Sequence, residues 1–121
     1  MRLMNSCVLL LAAASLLAAQ APAGNANAAP AGNAENGKKI FASYGCYQCH
    51  GFVAQGGAGA RLAPKPIAFA AFSKYVRQPT GEMPPYTAKV VTDKELADIY
   101  AYLQSIPQPP AANTIPILSG K

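Results

Sequence analysis

The sequence predicts an all-α fold of three to four short helices and connecting loops. Apolar residues recur at spacings of three and four in three separate segments, which is the pattern of helices with one buried side. A capping box precedes the last of these segments, and no segment alternates polar and apolar residues as a half-buried strand does. A chain of 121 residues is sufficient for one small domain.

Two short helices are predicted before residue 80. The first covers residues 35–44, although Gly37 weakens it, and its apolar side consists of Ile40, Phe41 and Tyr44. The second ends before Pro79, and its apolar residues are Phe69, Phe72, Tyr75 and Val76. Residues 51–66, between the two helices, contain four glycines and two prolines without periodicity, which is typical of a loop.

The clearest predicted helix begins at a capping box, the sequence TDKE. The Thr92 hydroxyl can accept from the backbone N–H of Glu95, whose carboxylate can accept in return from the N–H of Thr92. Pro107 ends this helix. Its apolar stripe consists of Leu96, Ile99, Tyr102, Leu103 and Ile106.

The N-terminus has the organisation of a secretory signal peptide. Arg2 is followed by an almost unbroken apolar stretch at residues 7–19, and then by small residues with A-x-A sites. We predict a signal peptide over residues 1–28, with cleavage between residues 23 and 28, and therefore export to the periplasm. An uncleaved membrane anchor is the alternative, but the apolar stretch is shorter than the roughly 20 residues that span a bilayer.

Three further regions follow the predicted signal. Residues 29–34 contain only Ala, Pro, Gly and Asn and are predicted to form a flexible leader. Residues 35–106 are the predicted domain, and residues 107–121 are a Pro-rich tail. A helical core of this size buries too little surface to be very stable alone, so a large apolar cofactor would strengthen it.

The charged residues argue against nucleic-acid binding. The chain has 10 Lys+Arg against 5 Asp+Glu, which gives a formal net charge of +5. The basic residues are scattered, however, and no aromatic-interleaved basic module is present. We expect the positive charge to favour encounters with acidic protein partners instead.

The sequence CYQCH, residues 46–50, is a haem-attachment signature. The thiols of Cys46 and Cys49 can add across the two vinyl groups of one haem, and His50 then lies next to the iron as an axial ligand. This motif predicts a single covalent haem c, with the helices and loops wrapped around it.

Other uses of these residues fit the sequence less well. A structural zinc site needs four ligands, and no second Cys/His pair follows the predicted signal. A thioredoxin-like redox pair occurs in a βαβ context, whereas the flanks here are helical and loop-like. A plain disulfide between Cys46 and Cys49 is the remaining alternative, because an exported protein meets oxidising conditions.

Met83 is the candidate for the second axial ligand of the iron. Beyond the predicted signal it is the only Met, and His50 is the only His of the chain. Met83 is followed by Pro84 and Pro85, whose stiffness can fix a thioether in a loop. A lone Met more commonly fills a core, but a Gly/Pro loop is a poor core position.

These segments together resemble the class I cytochrome c family. The resemblance covers residues 35–106 and depends on GKKIF, CYQCH, GARL, MPPY and IYAYL, in that order. It implies the cytochrome c fold, in which a Gly and a Phe of the first helix pack against an aliphatic and an aromatic residue of the last. The corresponding residues here are Gly37, Phe41, Ile99 and Tyr102.

One segment departs from the family pattern. Many members have G-P-x-L after the haem motif, and the Pro carbonyl accepts from the N–H of the axial His. This chain has Gly59-Ala60-Arg61-Leu62 instead. The acceptor is a backbone group, so the carbonyl of Ala60 can take its place. Arg61 is expected either to pair with a haem propionate or to be solvent-exposed, and Tyr47 and Tyr86 either to bond haem groups or to pack.

The predicted function is one-electron transfer rather than enzymatic catalysis. With His50 and Met83 both bound, the iron has no open position for a substrate. The expected donors are a dehydrogenase or a quinol-oxidising complex, and the expected acceptor is an oxidase or a similar protein. Peripheral association with membrane complexes is compatible with this function.

Two alternative functions remain open. In the first, the protein is a dedicated cytochrome subunit of a periplasmic dehydrogenase, and the tail at residues 107–121 binds to that enzyme. The second is a haem sensor or a peroxidase, in which an added ligand displaces Met83. Carbon monoxide binding to the reduced protein would favour the second alternative.

Overall fold

A computed structural model describes residues 28–120, and their regular structure is entirely helical. The helices are α1 (Ala34–Ser43), α2 (Cys46–His50), α3 (Phe69–Arg77), α4 (Asp93–Ser105) and α5 (Pro116–Ser119), with one 3-10 turn at Ala112–Thr114. No strand occurs within the described range, so the predicted all-α class is confirmed. The predicted signal peptide lies outside the described residues, apart from Ala28.

Helix α1 begins earlier than the sequence suggested. The side chain of Asn33 accepts from the backbone N–H of Asn36 at 2.9 Å and caps the helix, which then starts at Ala34. Asn33 and Ala34, which we assigned to a flexible leader, therefore belong to the first helix and its cap. At the other end, Tyr44 is the C-cap residue.

Helix α3 ends at Arg77, just before Pro79, as predicted. Phe72 is buried, and Phe69 and Val76 pack against the core from half-buried positions. Tyr75 shares their spacing but is 42% exposed. Its hydroxyl donates instead to the carbonyl of Thr80 at 3.0 Å.

The capping box of α4 is confirmed. The hydroxyl oxygen of Thr92 accepts from the N–H of Glu95 at 3.2 Å, and a carboxylate oxygen of Glu95 accepts from the N–H of Thr92 at 2.8 Å. The helix buries more than the predicted apolar stripe, since Asp98 and Tyr100 are buried as well. The Tyr100 hydroxyl donates to the carbonyl of Ile67 at 3.0 Å.

Helices α1 and α4 cross at very short range. A Cβ atom added at Gly37 would lie 2.8 Å from the backbone nitrogen of Ile99 and closer still to the carbonyl of Asp98, so only glycine permits this approach. Beside the crossing, the rings of Phe41 and Tyr102 lie 5.6 Å apart. The helix contact that the family resemblance implied is confirmed. The buried apolar core around it consists of Ile40, Phe41, Ala54, Ala63, Phe72, Val91, Leu96, Ile99, Tyr100, Tyr102 and Leu103.

A buried carboxylate ties the start of α1 to α4. Asp98 is 1% exposed and accepts from the backbone N–H of Asn33 at 2.7 Å, from the side-chain amide of Asn36 at 2.8 Å and from Lys94 at 3.1 Å. These bonds, first of all the one from Asn33, hold the pKa of Asp98 below its ordinary value although burial opposes this.

The predicted Pro-rich tail contains two short helical pieces, the 3-10 turn and α5. Pro116 occupies the first turn of α5, and Gly120 follows it in a left-handed conformation. Ile117 and Leu118 on this helix are 87% and 64% exposed. None of the helices in residues 28–120 has the length and apolar character needed to cross a membrane.

Candidate haem site

The haem-attachment signature forms a helix of its own, α2, directly after α1. It places Cys46, Cys49 and His50 within little more than one helical turn. Cys46 is half-buried and Cys49 is exposed, and no disulfide joins the two in the described structure. The two cysteines therefore lie in different environments on one short helix.

The inner thiol, that of Cys46, lies against apolar surface. Burial raises its pKa above the ordinary value, as expected for a thiol among apolar groups. The half-buried apolar residues that pack on the core include Tyr44, Cys46, Tyr47, Leu62, Phe69, Val76 and Tyr86. An apolar prosthetic group attached through Cys46 would therefore lie next to half-buried apolar side chains.

The imidazole of His50 is fixed by a backbone carbonyl. Its Nδ1 lies 2.7 Å from the carbonyl oxygen of Ala60. A carbonyl oxygen can only accept, so Nδ1 carries the proton and Nε2 keeps a lone pair available for a metal. The expectation that Ala60 replaces the Pro carbonyl is confirmed. Such a bond orients a ligating His and increases its basicity.

The glycine-rich loop folds back on the attachment helix. The backbone N–H of Gly59 donates to the carbonyl of Cys49 at 2.8 Å, and that of Gly56 donates to the carbonyl of His50 at 2.8 Å. A Cβ atom at Gly59 would lie 2.9 Å from the imidazole of His50 and 3.3 Å from Cβ of Cys49. The absence of a side chain at Gly59 thus allows the loop to hold the imidazole from one side.

Met83 is half-buried in the segment that joins α3 to α4. The segment is attached to α3 on both sides of Met83. On the N-terminal side the carbonyl of Thr80 accepts from the Tyr75 hydroxyl, and on the C-terminal side the N–H of Tyr86 donates to the carbonyl of Val76 at 3.0 Å. The candidate thioether ligand therefore lies in a loop with two fixed ends.

Two tyrosines connect the segment between α3 and α4 to the end of α1, just before the attachment helix α2. The Tyr86 hydroxyl donates to the carbonyl of Tyr44 at 3.2 Å, and the Tyr44 hydroxyl donates to the carbonyl of Val90 at 2.7 Å. Burial raises the pKa of Tyr86. Tyr86, three residues after Met83, thus bonds to Tyr44, two residues before Cys46.

The structure gives the surroundings of three other residues that the sequence singled out, Tyr47, Tyr86 and Arg61. Tyr86 uses its hydroxyl within the protein, and Tyr47 stacks on Phe52 with ring centroids 4.8 Å apart and an interplanar angle of 23°. Arg61 is exposed. The sequence did not reveal the roles of Tyr44 and Arg77, because each acts through bonds to distant backbone carbonyls that leave no local pattern.

Comparison with known protein families agrees with this architecture. The model of the family described as cytochrome c oxidase, cbb3-type, subunit III, matches residues 32–103, which is more than half of the chain. The chain belongs to this family. Searches of the curated proteins and of the solved structures found no match to the cytochrome.

Family membership establishes the cofactor class and the general activity. A domain of this type carries covalently bound haem c with its iron and takes part in electron transport, with other redox proteins as partners. It fits an electron carrier rather than an enzyme. The residues of the cytochrome fit this group, because two thiols and an imidazole with a free Nε2 stand together on α2.

Proposed function

We propose that the protein is a periplasmic one-electron carrier. In this proposal Cys46 and Cys49 hold the haem covalently, and His50 and Met83 are the axial ligands of its iron. The bond from Nδ1 of His50 to the carbonyl of Ala60 carries the proposal, because it leaves Nε2 as the ligand and prevents the ring from rotating.

The position of Met83 supports its role as the second ligand. No other Met lies within residues 28–120, and Met83 is half-buried. Its loop is joined by Tyr86 to Tyr44, which lies just before the attachment helix α2. The following prolines restrict the backbone next to the sulfur atom. A thioether held in this way needs little rearrangement when the oxidation state of the iron changes.

The bound haem would supply a one-electron iron couple. The chain contributes two axial ligands and an apolar surface, and these favour the reduced state and a high potential. One electron enters from a donor protein and one leaves to an acceptor, with no bond made or broken in either partner. This is the behaviour of a carrier within a respiratory or dehydrogenase-linked chain.

The distribution of charge supports acidic redox partners. Most acidic side chains are engaged within the protein: Glu35 with Lys39, Asp93 with Arg77, Glu95 with Thr92, and Asp98 with Lys94. Five basic side chains form no salt bridge within the described range: Lys38, Arg61, Lys65, Lys74 and Lys89. The uncompensated charge is thus positive, and association with a partner should slow as salt concentration rises.

Replacement of the thioether tests the proposed ligation. We expect the oxidised wild type, produced in a periplasm with haem-attachment machinery, to show a weak sulfur-to-iron charge-transfer band in the near infrared. Met83→Leu should lack this band and should bind carbon monoxide when reduced, because leucine leaves the sixth position of the iron open. Glu82→Gln, at the exposed neighbouring residue, should keep the band.

Each result of this comparison has a definite meaning. A wild type with denaturation-resistant haem but no such band would contradict Met83 ligation and favour the sensor or peroxidase alternative. Loss of the band in Glu82→Gln as well would mean that any change in the loop displaces the ligand. Absence of covalent haem from the wild type would contradict the proposal as a whole.

A second candidate function is that of a subunit of an oxidoreductase complex. The matching family is described as an oxidase subunit, and Ile117 and Leu118 are exposed on the tail helix α5. We expect such a subunit to co-purify with a larger enzyme, and a chain that ends at Gln108 to lose that enzyme while keeping its haem. A monomeric, fully soluble wild type in its native host would favour the free carrier.

A further inference from the structure

The last turn of α3 holds both ends of the segment that contains Met83. Three consecutive residues make these contacts. The Tyr75 hydroxyl donates to the carbonyl of Thr80 at 3.0 Å, and the carbonyl of Val76 accepts from the N–H of Tyr86 at 3.0 Å. Arg77 then donates to the carbonyl of Tyr86 at 2.8 Å. One helix end therefore fixes the residues on either side of Met83.

Arg77 extends this attachment to the start of α4. Its side chain is 18% exposed and makes three hydrogen bonds from its two terminal nitrogens. Nη1 donates to the carbonyls of Tyr86 and Val91, the latter at 2.6 Å, and Nη2 donates to the carboxylate of Asp93 at 2.6 Å. The planar guanidinium thus joins α3, the Met83 loop and α4 with charge-assisted bonds.

The part of the loop between these anchors depends on them. Within the described structure, residues 81–85 make no hydrogen bond with other parts of the chain. Pro84 and Pro85 have no N–H group to donate. The location of the Met83 backbone is therefore set by the anchored ends and by the stiffness of the prolines.

We propose that Arg77 and Tyr75 are positioning residues for the sixth ligand of the haem iron. They act by holding Tyr86 and Thr80, and so they limit how far the Met83 sulfur can withdraw from the iron. The proposal rests on the proposed ligation by Met83. Its consequence is kinetic, because a loop released at either end opens more often.

Displacement of Met83 by added imidazole measures this opening. In the oxidised protein the iron–sulfur bond breaks and an iron–nitrogen bond forms, with no change in the number of electrons on the iron. At high imidazole concentration, opening of the loop limits the rate. The rate therefore reports on the anchors rather than on the affinity for imidazole.

We expect Arg77→Gln to increase this limiting rate about tenfold and Tyr75→Phe to increase it about threefold, in line with the loss of charged and neutral hydrogen bonds respectively. Arg77→Lys should lie between wild type and Arg77→Gln, because lysine keeps the charge but not the planar fork. Tyr75 is exposed, so Tyr75→Phe should fold normally even if Arg77→Gln does not.

Two controls separate positioning from general stability. Tyr102→Phe removes the same kind of bond, from a hydroxyl to the carbonyl of Phe52 at 3.3 Å, far along α4 from the loop. Asp98→Asn lowers global stability without touching the loop. Both should leave the limiting rate unchanged. Rates in Arg77→Gln and Tyr75→Phe that match those of the controls would overturn the inference while the ligation stands. A wild type without the sulfur-to-iron band would overturn both.

Discussion

Gly37→Ala is expected to lower the free energy of unfolding by about 2–3 kcal/mol, because the added methyl group overlaps with the backbone of α4. The overlap involves the carbonyl of Asp98 and the nitrogen of Ile99, and no side-chain rotation can relieve it. The helices must separate or shift. Guanidinium unfolding of the haem-containing protein, followed by circular dichroism, measures the change.

The sign of this effect distinguishes packing from helix propensity. Alanine is about 1 kcal/mol better than glycine within a helix, so a loosely packed crossing would make the variant more stable than wild type. That outcome would contradict the close approach of α1 and α4. Lys38→Ala is a suitable control, since Lys38 is the exposed next residue and should change stability by no more than about 0.5 kcal/mol.

Asp98→Asn is expected to lower the free energy of unfolding at pH 7 by about 2–3 kcal/mol. An asparagine side chain has one acceptor oxygen where the carboxylate has two, so it can accept from either Asn33 or Asn36 while its NH2 group faces the donor of the other. Lys94 contributes little to the loss, because its side chain is 79% exposed.

The same substitution should change how stability depends on pH. The pKa of Asp98 lies below its ordinary value of 3.8 in the folded state, so its stabilisation is complete above that value and is lost as pH falls through the folded pKa. The difference between wild type and Asp98→Asn should therefore be constant near neutral pH and shrink below about pH 4. Glu35→Gln, which alters only an exposed ion pair, should show a small difference at every pH. A constant difference down to pH 2 in Asp98→Asn would contradict this assignment.

The sequence predicted the parts of the fold that depend on short-range contacts. The capping box joins residues only three apart, and the end of α3 follows from Pro79, so both were evident from neighbouring residues. The signals for α5, Pro116 at its start and Gly120 at its end, were also present but were overlooked within a Pro-rich tail.

The sequence could not predict contacts between residues that are far apart in the chain. Asp98 lies in the middle of α4, outside the predicted apolar stripe, and its partners Asn33 and Asn36 are more than 60 residues away. The sequence therefore suggested an apolar stripe and no buried carboxylate. For the same reason Arg77 looked like one of several scattered cations, although it links three elements of the structure.

The attachment motif is the part of the candidate site that is most evident in the sequence. The chemistry of attachment constrains Cys46, Cys49 and His50 to one short motif, and the motif is visible in the sequence. The Ala60 carbonyl was foreseen because a backbone acceptor does not depend on residue type. The bonds of Tyr44 and Tyr86, which join the end of α1 to the segment between α3 and α4, are visible only in the structure because they end on backbone carbonyls.

The pairing of α1 with α4 joins the two ends of the domain against the entropy of the chain between them. The bond between Asn36 and Asp98 spans 62 residues, so the packing of α1 against α4 must offset the entropy of closing this long loop. A chain that stops before α4 would leave α1 without the helix that its backbone approaches at Gly37.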